Sequence, residues 1–67
     1  MNKFKDRLNE ELAKNNITQT ALAQKIFMSQ SIISNYRTGK REPSLYVLIL
    51  ICRELKVSAD YLLGLID

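Results

Sequence analysis

Thr18–Arg41 reads TQTALAQKIFMSQSIISNYRTGKR, and this stretch decides how the rest of the chain is understood. It holds a helix-like run, Gln19–Lys25, a brief break at Ile26–Ser29, a second run, Gln30–Thr38, and a stop at Gly39-Lys40-Arg41. Thr18 and Ser29 stand where N-caps belong, since their hydroxyls can accept from the unpaired N–H groups of a first helical turn. Leu22, Ala23 and Ile26 make one apolar side of the first run. Gly39 supplies the residue that can turn left-handed and end the second.

The second run has two unlike faces. At 100° per residue from Gln30, the residues Gln30, Ser34, Thr38, Ser31 and Asn35 fall between about 0° and 140°, and Ile32, Tyr36 and Ile33 between about 200° and 300°. Arg37 lies at the border beside Gln30. The apolar side anchors the helix. The polar side is uncharged, although a merely solvated face favours Lys and Glu, which are better helix formers than Ser, Thr or Asn. Short hydrogen-bonding groups gathered in this way suit base edges. Gln and Asn can pair two-point with adenine N6/N7 in a major groove about 12 Å wide, and Ser can pair with several edges.

Charge points the same way. From Leu12 to Arg41 the charges are Lys14, Lys25, Arg37, Lys40 and Arg41, with no acid, while the flanks carry all seven acids of a chain whose net charge is +3. A one-signed window of this kind attracts polyanions. Arg37, Lys40 and Arg41 follow the polar face and are candidates for phosphate contacts, which position a protein on DNA without specifying sequence. Thr18, Gln19 and Ser29 open the two helices, where backbone amides favour an approaching phosphate.

Outward from this window, Lys3–Asn15 reads as a helix with Phe4, Leu8 and Leu12 on one stripe, and Asn15-Asn16 as its stop. Pro43 cannot continue a helix, so Lys40–Pro43 is a connector. Ser44 caps a fourth helix, Leu45–Leu55. Ser58 caps a fifth, Ala59–Leu63, which Gly64 ends. No segment alternates as a strand does. The expected fold is all-α, five helices in a single domain over 1–67.

Composition excludes several classes of function. One cysteine, Cys52, allows no internal disulfide, and the absence of histidine removes Cys-His metal sites and histidine acid–base catalysis. The N-terminus has no signal-peptide core, and the longest apolar run, Leu45–Cys52, is eight residues, against roughly 20 for a membrane span. A cytoplasmic protein with no cofactor, metal, membrane or small-molecule ligand is expected. The acids are read as scattered over exposed helix positions, and no glycine loop could cradle a phosphate, so an enzyme is not expected.

The sequence resembles the lambda-repressor-like, or XRE-type, helix-turn-helix transcriptional regulators over roughly Ile17–Gly64. ITQTALAQKIFMSQSIISNYRTGKREPS is similar to that family's second helix, turn and recognition helix, and PSLYVLILICRELKVSADYLLG to its two C-terminal helices. The resemblance implies a compact five-helix DNA-binding domain with Gln30–Thr38 in the major groove. It marks Gln30, Ser31, Ser34 and Asn35 as base readers, and Gln19, Ser29, Arg37 and Lys40 as backbone contacts. Thr18, Thr38 and Arg41 join the backbone set. Ala23 and Ile33 match the small and branched residues where the two helices cross. Three departures stand out. Phe27 occupies the turn where the family often has glycine, and at positive φ it costs of order 1 kcal/mol; either packing recovers that or the turn is altered. Arg37 stands where the family often has an acid, which should strengthen backbone binding. The fourth helix carries extra apolar residues.

In that helix Leu45, Leu48, Ile51, Cys52 and Leu55 form the expected core stripe. Tyr46 and Leu50 fall on the opposite side, with Val47 beside them, and Leu65 and Ile66 follow Gly64. Surplus apolar surface often marks a partner site, so Tyr46, Leu50, Leu65 and Ile66 are expected to form a homodimer interface; a core that wraps further round is the alternative. The sequence therefore predicts a small sequence-specific regulator of double-stranded DNA, a repressor without a sensing or protease domain, bound as a two-fold dimer to a pseudo-palindromic operator. The rival is a protein-interaction module, an antitoxin or adaptor on the same fold, with Tyr46, Val47 and Leu50 as its working surface.

Overall fold

Four side-chain hydroxyls set where helices begin. In the computed structural model, which describes residues 2–67, Thr18 Oγ1 accepts from the Ala21 N–H at 3.0 Å, Ser29 Oγ from Ile32 at 3.4 Å, Ser44 Oγ from Val47 at 3.2 Å and Ser58 Oγ from Tyr61 at 3.1 Å. Each cap satisfies one orphan donor and contributes about 1 kcal/mol. The helices that follow are α2 (Gln19–Lys25), α3 (Gln30–Thr38), α4 (Leu45–Leu55) and α5 (Ala59–Leu63). Ahead of them, α1 spans Phe4–Lys14, one residue shorter at each end than the sequence predicts, because Lys3 and Asn15 are its flanking caps. Asn2 supplies the missing hydroxyl's function, its Oδ1 accepting from the Phe4 N–H at 2.9 Å.

The helix ends use left-handed residues. Asn16 (φ 56°), Gly39 (φ 82°), Lys56 (φ 59°) and Gly64 (φ 82°) reverse the chain. Phe27 does the same in the α2–α3 turn at φ 60° and is 94% exposed. Phe27 thus takes the left-handed conformation itself, and packing does not recover the cost of a Cβ there.

Each helix sends one aliphatic side chain into full burial: Leu8, Leu22, Ile33, Ile51 and Leu62. Removing each from water contributes about 1.5–3 kcal/mol. Around them lie Phe4, Leu12, Ala23, Ile26, Tyr36, Val47, Leu48 and Leu55. The Phe4 and Tyr36 rings meet edge to face at 6.2 Å, tying α1 to α3. α3 rests on both α1 and α2, whereas α4 and α5 brace the far side. The anchoring face Ile32, Ile33 and Tyr36 is turned inward as expected, Ile32 half-buried.

Three expectations about burial are corrected. Leu45 is 81% exposed and does not belong to the core stripe; it is the first residue of α4. Val47 is buried, and Leu50 is half-buried against the core, so the core wraps further round α4 than a simple stripe allows. Glu11 is buried too, although the acids were expected at exposed positions. Its carboxylate accepts from Asn15 Nδ2 at 3.2 Å and pairs with Lys14 at 3.8 Å, while Asn15 Nδ2 also donates to the Glu11 carbonyl at 2.9 Å. Tyr46, Leu65 and Ile66 are exposed, as is Ile49. The C-terminal backbone is held even so. Arg7 NH1 donates to the Tyr61 and Ile66 carbonyls at 2.6 Å each, and its guanidinium lies 4.5 Å from the Tyr61 ring. No described helix is long and apolar enough to cross a membrane.

Candidate nucleic-acid interface

Because Ile33 and Tyr36 lock α3 by its inner face, the opposite face projects outward at a fixed rotation. Gln30 and Ser31 are exposed, and Ser34 and Asn35 half-buried on the same side. The structure therefore brings the four sequence-selected polar residues together on one face of one helix. Lys40 and Arg41 are exposed immediately beyond it and make no ion pair among the described residues. The Arg41 N–H donates to the Asn35 carbonyl at 3.2 Å, folding the basic segment back beside the helix end. The nearby Tyr36 hydroxyl is pushed above its ordinary pKa of 10.0 by burial, an effect the Arg41 charge partly opposes.

Arg37 has a different position from the one expected of a phosphate contact. It is half-buried, and its donors turn inward. Nε donates to Asn9 Oδ1 at 2.7 Å, NH1 donates to Gln19 Oε1 at 3.0 Å, and Asn9 Nδ2 returns a bond to the Arg37 carbonyl at 3.0 Å. A guanidinium thus joins α1, α2 and α3. The chain of bonds continues: Gln19 Nε2 donates to Gln30 Oε1 at 3.2 Å, and Thr20 Oγ1 donates to the same oxygen at 3.2 Å. Arginine has only donors. The Gln19 atom facing it must be oxygen, so the nitrogen of Gln19 faces Gln30 and the oxygen of Gln30 faces Gln19. The orientation of both amides follows from a side chain that can only donate.

The remaining candidates differ in what they have left to offer. Thr18 and Ser29 accept their cap bonds and keep an O–H, although the Ser29 and Ser31 hydroxyls lie 3.2 Å apart and share one proton between them. Thr38 donates its only O–H to the Asn35 carbonyl at 3.3 Å, leaving none for a phosphate. Asn9 and Thr20 are the residues that sequence reasoning missed. Thr20 stands in the first turn of α2 beside Gln19, and a hydroxyl there is a weak signal. Asn9 sits among charged residues of α1 and becomes meaningful only when α3 is laid across it. Cys52 is half-buried, and burial pushes its thiol up, away from reactivity.

Residues 8–62 match the family model described as helix-turn-helix. The chain is 34% identical over 61 residues to YobD, an uncharacterized HTH-type transcriptional regulator of Bacillus subtilis (strain 168). That alignment takes in 91% of this chain and 54% of the relative, so the chain spans about half the length of the curated protein it matches. No solved structure matches it. With five helices among the described residues, a capped α2–turn–α3 unit and a family match over most of its length, the chain belongs to the helix-turn-helix family, in its lambda-repressor-like branch.

Proposed function

We propose that this chain is a transcriptional regulator that binds double-stranded DNA with α3 in the major groove. The observation that carries this reading is the uncharged polar face of α3, held outward by a buried opposite face and followed by free basic residues. Gln30, Ser31, Ser34 and Asn35 read base edges. Thr18, Gln19, Ser29, Lys40 and Arg41 contact phosphates, and Arg37 acts through Gln19 by holding it. The 34% identity to a protein named as an HTH-type transcriptional regulator supports the regulatory role. Repression in the cytoplasm follows if the bound domain obstructs other proteins on the same duplex. Two copies related by a two-fold axis would place their α3 helices on half-sites about one turn, roughly 34–36 Å, apart. The exposed Tyr46, Leu65 and Ile66 supply apolar surface for that pairing.

The test is titration against random duplex at two salt concentrations, followed by selection of bound sequences from a random pool. Each phosphate neutralised adds roughly 0.9 to the salt slope. Lys40→Ala is expected to weaken all duplexes about equally and reduce that slope, whereas Asn35→Ala should lose roughly 1–3 kcal/mol on the selected site alone. No affinity and no salt slope would overturn the reading and favour a protein-interaction module instead.

A further inference from the structure

The hydrogen bonds around Gln30 leave it able to do only one thing at a base edge. A side-chain amide oxygen has two lone pairs. Gln30 Oε1 takes one bond from Gln19 Nε2 and one from Thr20 Oγ1, both at 3.2 Å. Its acceptor capacity is filled from within the protein, and the order is imposed from Arg37 through Gln19. The Nε2 amino group of this exposed residue donates to no other described residue, so both of its protons are unused. Two-point pairing with adenine needs a donor to N7 and an acceptor from the N6 amino group. Gln30 lacks the free acceptor. Guanine instead offers two adjacent acceptors, O6 and N7, in the major groove.

We infer that Gln30 reads guanine, and that Thr20 makes it do so by occupying the lone pair adenine would need. This rests on the proposal that α3 reads bases. It replaces the adenine pairing that glutamine alone would suggest. Thr20 touches no base itself; it is a positioning residue whose hydroxyl selects which half of the Gln30 amide is available. Thymine, with the single acceptor O4, is the second choice, and cytosine, which presents an amino donor, is disfavoured.

Selection from a random duplex pool, run in parallel on the native chain, Gln30→Ala and Thr20→Val, tests this. Valine keeps the β-branched shape and removes the hydroxyl. Gln30→Ala identifies the base pair that Gln30 reads, as the position whose preference flattens. The expected result is guanine at that position for the native chain, with the adenine-to-guanine ratio rising about fivefold or more in Thr20→Val, the scale of one base-edge contact. Unchanged thermal melting of Thr20→Val shows that the change is in recognition and not in folding. A native preference for adenine there, or a Thr20→Val preference identical to native, overturns the inference while base reading by α3 stands. A Gln30→Ala variant that flattens no position overturns base reading by Gln30, and this inference with it.

Discussion

At the scale of single residues, side chains that look alike in the sequence do different work. Arg37 and Lys40 are both cations beside the polar face, but Arg37 bonds Asn9 and Gln19 whereas Lys40 is exposed. Arg37→Ala leaves half-buried amides without partners and should cost about 1–2 kcal/mol of stability, or roughly 4–16 °C in a domain this small. Lys40→Ala should leave the melting temperature within about 2 °C, since an exposed cation without an ion pair contributes little. Thermal unfolding of the two variants side by side checks this. Phe27 invites the opposite kind of change. At φ 60° and almost wholly exposed, it carries the cost of a Cβ with little packing in return. Phe27→Gly should therefore stabilise the fold by up to about 1 kcal/mol, offset in part by the greater freedom of glycine in the unfolded chain. A higher urea midpoint is the expected reading, and a lower one would show that the phenyl ring holds the turn.

Among the elements, α4 separates what a helical pattern can and cannot tell. Ile51 is fully buried and Leu45 is 81% exposed, although the sequence pattern places both on one apolar stripe. Ile51→Ala should cost about 2–5 kcal/mol and Leu45→Ala less than about 0.5 kcal/mol, as measured by chemical denaturation. The boundaries of α2 to α5 were legible because caps and left-handed stops are local chemistry: Thr18, Ser29, Ser44 and Ser58 bond N–H groups three residues on. Rotation was legible for α3, whose apolar and polar residues divide cleanly. It was not for α4, whose first eight residues are all apolar, so which of them is buried depends on how α2 and α5 lie against it. The same reason hid Asn9 and the true position of Arg37. Their bonds link residues 28 apart in sequence, and no local periodicity encodes them.

For the whole molecule, titration and assembly are the testable properties. Burial raises the Tyr36 and Cys52 pKa values above 10.0 and 9.0, so the folded state holds these protons more tightly than the unfolded state does. Stability from this source is present at neutral pH and is lost as pH rises above about 9, first as the unfolded cysteine ionises and then the unfolded tyrosine. Denaturation midpoints should fall between pH 8.5 and pH 11, and Cys52→Ala should reduce the early part of that fall. Pairing is a separate matter. If Tyr46, Leu65 and Ile66 carry a two-fold contact, sedimentation at micromolar concentration should show a dimer, off or on the selected DNA, that Ile66→Asp converts to monomer. A native chain that stays monomeric in both conditions would remove the dimer from the proposal.

The chain of bonds from Asn9 through Arg37 and Gln19 to Gln30 draws on three helices, and only its last member is proposed to read a base. If α3 reads bases as proposed, recognition is consequently not a portable property of that helix. Moving Gln30–Thr38 into a relative's framework would transfer the side chains but not the guanidinium link that orients them, and the hybrid should read a different sequence from its donor. A faithful transplant has to carry Asn9, Gln19 and Thr20 as well, so new binding preferences in such a domain can arise from substitutions on helices that never touch a base.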